Sequence, residues 1–158
     1  LDNALLNCRI QGLNKYKPDL FIIDLNLKLK KNLLLNKILK KRKTYLITYK
    51  TNFKKAQSYK KKGYKIIFIN SLVNKNDFDL LFKKFYKIGY SRILVEAGLN
   101  FLNTLIQNRL IDDLYIFNTN YNLKKRGKNN ATLKYLKSFT FKPMSINLNN
   151  DKLHKKEF

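Results

Sequence analysis

Cysteine is nearly absent. The 158-residue chain has one, Cys8, so no intrachain disulfide can form. Histidine is as scarce. With only His154 beside Cys8, a zinc site built from Cys and His is excluded. The five glycines stand at 12, 63, 89, 98 and 127, too far apart for a G-x-G-x-x-G dinucleotide loop or a G-K-[ST] phosphate loop. No uninterrupted apolar run exceeds four residues, which excludes a membrane-spanning helix. No secretory pattern opens the chain, and the compartment reads as cytoplasmic. Carboxylates are few: ten Asp and Glu face 34 Lys and Arg, for a net charge of +24. Glutamate occurs only as Glu96 and Glu157.

What is present supports a core. Apolar residues make up 44% and aromatics 13%, which argues against disorder despite 28% charged residues. The length suits one domain. The positive charge first suggests nucleic acid. Two features disfavour that partner. Only five of the basic residues are arginine (Arg9, Arg42, Arg92, Arg109, Arg126), the residue suited to bidentate phosphate contacts. The lysines are also spread along the chain, densest at 37–43, 60–65 and 124–128. Their company of Asn, Ile, Tyr and Phe is what A/T-rich codon usage favours. Such a surface would still attract an anionic small substrate.

Strands alternate with helices along the first two thirds. Leu20–Ile23, Thr44–Thr48, Lys65–Asn70, Arg92–Glu96 and Asp113–Asn118 read as strands from their apolar, β-branched and aromatic content. Residues 33–40 read as a short helix or turn, and Asn52–Lys62 as a helix ending at Gly63. Another helix starts at Asn76 or Asp77, carries Phe78, Leu81, Phe82 and Phe85 on one face, and closes at Gly89. Gly98 opens the next, with Leu99, Leu102 and Ile106 aligned. After residue 120 the pattern turns to strands alone, at 139–141, 145–148 and 152–158. This is an α/β domain with a mostly parallel sheet finished by antiparallel strands.

Glu96 ends the fourth expected strand, and Gly98 opens the following helix. In open α/β sheets ligands bind beyond the carboxyl ends of strands, and a helix N-terminus favours phosphate. The plainer reading, a carboxylate capping the next helix, stays open. Asp2 and Arg9, seven apart, read as surface residues by spacing alone. Asp112-Asp113 reads as a turn entering a strand, His154 as a partly exposed strand residue and Cys8 as a packed side chain.

Taken together, these segments resemble the reductase half of the bifunctional riboflavin-biosynthesis deaminase/reductase, which has a dihydrofolate-reductase-like fold. I-L-V-E-A-G-L-N-F-L-N-T-L-I-Q-N-R-L-I-D-D-L-Y-I-F (93–117) resembles the family's strand–E-[GA]-G–helix–strand block. D-N-A-L-L-N-C-R (2–9) resembles its D-x-P-x-L-x-x-R segment, with Ala4 in place of proline. P-D-L-F-I-I-D (18–24) resembles the strand after it, and N-N-D-K-L (149–153) the closing strand's polar turn.

The resemblance implies a three-layer α/β/α domain over 1–158 that lacks the family's first strand and helix, without the zinc deaminase domain, and so a fragment of a longer protein. It implies NADPH as cofactor and 5-amino-6-(5-phosphoribosylamino)uracil as substrate, reduced at C1′ of the ribose to the ribitylamino product. Leu6, Arg9 and Glu96 would match substrate-binding positions. Asp2 and the run Gly98, Leu99, Asn100, Phe101, Leu102, Asn103 and Thr104 would match cofactor-binding ones. No side chain is assigned a covalent role, no metal is implied, and a homodimer is left open. Two alternatives remain: a basic RNA- or ribosome-associated protein, and a pterin- or folate-type reductase of the same fold.

Overall fold

The structure is a computed structural model that describes residues 17–30, 33–118, 136, 138–148 and 151–158. It divides into two compact units, Leu1–Val73 and Asn74–Phe158.

The first unit holds a parallel sheet. Strand β1 (Leu20–Ile23) pairs with β2 (Thr44–Tyr49), and β2 with β3 (Lys65–Ile69), in the order β1-β2-β3. The central strand carries the core. Leu46, Ile47 and Thr48 are wholly buried, so T-Y-L-I-T-Y lacks the in-out alternation of a strand with one wet face. Between β1 and β2 lies α1 (Leu34–Lys37). Between β2 and β3, a 3-10 turn (Lys50–Asn52) leads into α2 (Phe53–Lys61). That helix buries Ala56 against Leu27, Leu46 and Tyr64, with Leu39, Tyr59 and Phe68 packed around them. It ends, as expected, at Gly63, whose φ of +105° suits glycine.

The second unit contains α3 (Lys75–Lys87) and α4 (Leu99–Gln107). Phe78, Leu81 and Phe85 of α3 are buried, the i, i+3, i+7 face expected. The helix starts slightly earlier than expected. Asn74 is its N-cap: its side chain accepts from the Asp77 N–H at 3.1 Å, and the Asp77 carboxylate accepts from the Asn74 N–H at 3.3 Å. Gly89 ends it at φ +99°. Strands β4 (Asp113–Asn118), β5 (Lys142–Leu148) and β6 (Asp151–Glu157) form an antiparallel sheet in the order β4-β6-β5. The fold is thus α/β, with parallel strands first and antiparallel strands last, as expected.

One expected strand is missing. Residues 92–96 are assigned to no strand and pair with no other strand among the described residues. Ile93, Leu94 and Val95 are 40%, 84% and 46% exposed. Composition marks this segment for a sheet, but a strand exists only where a neighbour completes its hydrogen bonds. Among the described residues no helix is long and apolar enough to cross a membrane.

Candidate functional site

The parallel sheet places several chain segments at one end. β2 and β3 run side by side, Tyr49 opposite Ile69, so the residues just past each strand emerge together. Tyr49 at the end of β2, Lys50 and Thr51 after it, and Asn70 and Ser71 after β3 line a cleft of about 290 Å³. This is the carboxyl end of the sheet, where α/β folds receive ligands.

The backbone around the cleft is fixed by a set of side-chain-to-backbone hydrogen bonds. The Leu25 carbonyl accepts from Thr48 Oγ1 at 2.9 Å, from Asn52 Nδ2 at 2.7 Å and from the Tyr49 N–H at 3.3 Å. Asn52 Nδ2 also lies 3.0 Å from Thr48 Oγ1. Asp24, just past β1, accepts the N–H groups of Lys28 and Leu29 at 2.9 and 2.7 Å. That holds the turn in which Leu27 adopts φ +53°. Tyr59 of α2 donates to the Leu29 carbonyl at 3.2 Å. Its phenol is pushed above the ordinary tyrosine range by burial, and further by the charge of Asp24.

The Asn52 amide serves this turn rather than capping α2, and no side chain caps the 3-10 turn before it. The cleft therefore combines the Lys50 ammonium, the hydroxyls of Tyr49, Thr51 and Ser71 and the Asn70 amide, with no carboxylate in its lining. Such a donor set suits an anion, and a phosphate above all.

In the second unit, Gly98 is the N-cap of α4, with φ −70° and ψ 164°, extended backbone open to any residue. A Cβ built there meets no atom within 4 Å. No side chain caps the helix, and no acidic residue occupies its first turn. The N–H groups of Leu99, Asn100 and Phe101 thus stand at an uncapped N-terminus, while Leu102 N–H already bonds the Gly98 carbonyl at 3.1 Å. Glu96, two residues before, is exposed.

The other expected positions in α4 differ among themselves. Phe101 lays its ring against Phe78, 6.0 Å between centroids, so its side chain serves helix packing. Thr104 Oγ1 donates back to the Asn100 carbonyl at 3.1 Å. Asp2, Leu6, Arg9 and Cys8 lie outside the described residues, as does the basic run 124–128. Asp113 lies in β4, the strand that the Asp112-Asp113 pair enters. It meets Lys155 at 3.0 Å across the β4–β6 pair, and Lys155 also reaches Glu157. Among the described residues no cluster of three His, Cys, Asp or Glu could hold a metal.

In the sequence, Glu96 and Gly98 stand out because they lie at, and just past, the carboxyl end of an expected strand. The same position is held by Lys50-Thr51 after β2 and by Asn70-Ser71 after β3, and it could have marked them too.

Known proteins share this architecture. The family model that matches is the RibD C-terminal domain, over residues 1–120. Two solved structures of Acinetobacter baumannii RibD share the fold. Form 2 superposes with a TM-score of 0.71 at 20% identity, covering 98% of this chain and 42% of that one. Form 1 gives 0.61 at 19% identity, covering 85% and 36%. The chain therefore spans less than half the length of these RibD chains. None of the curated proteins matches.

Proposed function

Because the chain belongs to the RibD C-terminal, or reductase, domain family, we propose that it takes part in the NADPH-dependent reduction of 5-amino-6-(5-phosphoribosylamino)uracil to its ribitylamino product. The observation that carries the reading is the cleft at Lys50, Thr51, Asn70 and Ser71, whose lining includes an ammonium and no carboxylate, a composition that suits an anionic ligand. The uncapped start of α4 supports it, because a glycine there leaves room for phosphate oxygens over the first N–H groups. Each of these places, taken by itself, suits a phosphate group.

NADPH, when bound, supplies the hydride; the chain's own residues bind and orient. Lys50 and Thr51 would hold phosphate oxygens at the end of the parallel sheet. In the other unit, the free N–H groups of 99–101 would offer an anion cradle of their own. Arg9 takes the substrate's 5′-phosphate through its planar fork, and Leu6 and Glu96 contact the rest of the substrate. Asp2 stays a cofactor position on the resemblance alone. The work is positioning, with no covalent side chain.

The test is NADPH binding to wild type and Lys50→Ala, read by nicotinamide fluorescence. Loss of one charge-assisted contact costs about 1.5–3 kcal/mol. The variant should therefore bind at least tenfold more weakly with an unchanged melting temperature. Equal affinity in both would remove the cleft from the cofactor site.

A further inference from the structure

Lysines that are scattered in the sequence meet in the fold. Residues 1–73 carry eighteen Lys and Arg against three carboxylates, Asp2, Asp19 and Asp24. Two of the densest basic runs, 37–43 and 60–65, immediately precede β2 and β3. Because these strands are parallel, Tyr45 beside Lys65, both runs fall at the same end of the sheet. Direct contacts confirm that they adjoin. A Cβ at Gly63 would lie 3.8 Å from Leu39 Cβ. The Tyr64 hydroxyl donates to Asn36 Oδ1 at 2.7 Å, just before the first run.

Together the two runs present eight exposed lysines and no carboxylate. Asp19, at the nearby start of β1, acts on the guanidinium of Arg42, which is itself buried. Asp24 sits beyond the far end of β1 and is occupied by backbone N–H groups. This basic end is the pole opposite the Lys50 cleft. A strand of five or six residues separates them, roughly 15–20 Å.

We propose that this lysine pole binds nucleic acid through its phosphate backbone, as a surface separate from the reductase site. Its chemistry selects that partner class. Protein interfaces are poor in lysine and rich in aromatics and arginine, whereas this surface is lysine alone. Insertion into a membrane surface needs exposed apolar side chains among the charges. Within the two runs Ile38 and Leu39 are only partly exposed and Tyr64 is buried. What remains is a set of point charges, Lys62 and Lys65 lying over the Tyr59 and Tyr45 rings, suited to phosphates and without base readout. The wide spacing of lysines in sequence, which argues against a basic arm, is undone by the parallel crossover.

The experiment compares two quadruple variants of equal net charge. One is Lys40, Lys41, Lys61 and Lys62→Gln at the pole. The other is Lys75, Lys83, Lys87 and Lys152→Gln, all exposed and in the second unit. Binding of a fluorescent uridine homopolymer is measured by anisotropy across a salt series, with melting temperatures as the fold control. The pole variant should lose at least tenfold in affinity near physiological salt. Its log K against log salt slope should flatten by roughly 2–3, at about 0.7 per lost contact. The control variant should lose less than threefold. Equal losses in both would show net charge alone at work and overturn the proposal. So would unchanged binding by the pole variant, or binding of wild type to phosphatidylserine vesicles with none to RNA.

Discussion

Gly98→Ser separates a ligand role for the α4 N-terminus from a structural one, because the two roles predict opposite signs. The backbone at Gly98 is ordinary extended chain, φ −70° and ψ 164°, and a Cβ meets nothing within 4 Å. Serine therefore enters without strain. It is at least as good an N-cap as glycine, worth a few tenths of a kcal/mol. Stability should be unchanged or slightly higher. The serine hydroxyl, however, takes the N–H of Asn100 or Phe101 for itself. A cofactor phosphate resting on that N-terminus would lose one charge-assisted hydrogen bond, about 1.5–3 kcal/mol. NADPH should bind at least tenfold more weakly. The assays are a thermal melt and a fluorescence titration on one preparation. A serine variant that melts normally and binds NADPH as wild type does would take the cofactor off this helix. A large drop in melting temperature would show that the glycine is structurally required.

Tyr64→Phe should cost about 1 kcal/mol at neutral pH, because it removes the 2.7 Å bond to Asn36. Burial pushes the Tyr64 phenol up to about 12, with a smaller push from Tyr59. A raised folded value means that the unfolded chain gives up this proton first, so the contribution is intact below pH 10 and is lost as pH rises toward 12. Wild type should therefore lose about 2–3 kcal/mol more than Tyr64→Phe between pH 9 and 12 in urea melts, and parallel losses would contradict the assignment. Arg9→Ala should raise KM for the phosphorylated substrate and leave NADPH affinity nearly unchanged. Glu96→Gln should lower turnover without shifting the melting temperature, since Glu96 is exposed. Matching losses of NADPH affinity in these last two variants would sink their roles as substrate residues.

Most of the fold was legible, for local reasons. The runs in β2 and β3 are apolar and β-branched because the strands are buried or half-buried, so composition marks them. The aromatic face of α3 has helical spacing, and Gly63 and Gly89 mark helix ends through their positive φ. The start of α3 was displaced because Asn74, Asn76 and Asp77 all suit an N-cap. Only the reciprocal bonds between Asn74 and Asp77 decide among them. Residues 92–96 misled because pairing is a property of neighbours and not of side chains. Gly98 stood out as a rare residue type after an apolar run. Lys50, Thr51, Asn70 and Ser71 did not, being common polar residues that become a cleft only when β2 and β3 lie side by side. The basic pole was hidden for the same reason.

The central claim is hydride transfer from NADPH to the ribose carbon. The most direct measurement uses NADPH deuterated at both C4 positions with the phosphoribosylaminouracil substrate, followed by mass spectrometry of the product. The account predicts a ribitylamino product carrying one deuterium at C1′, with NADPH consumed in equal amount. A folded protein that neither binds NADPH saturably nor transfers the label would contradict it.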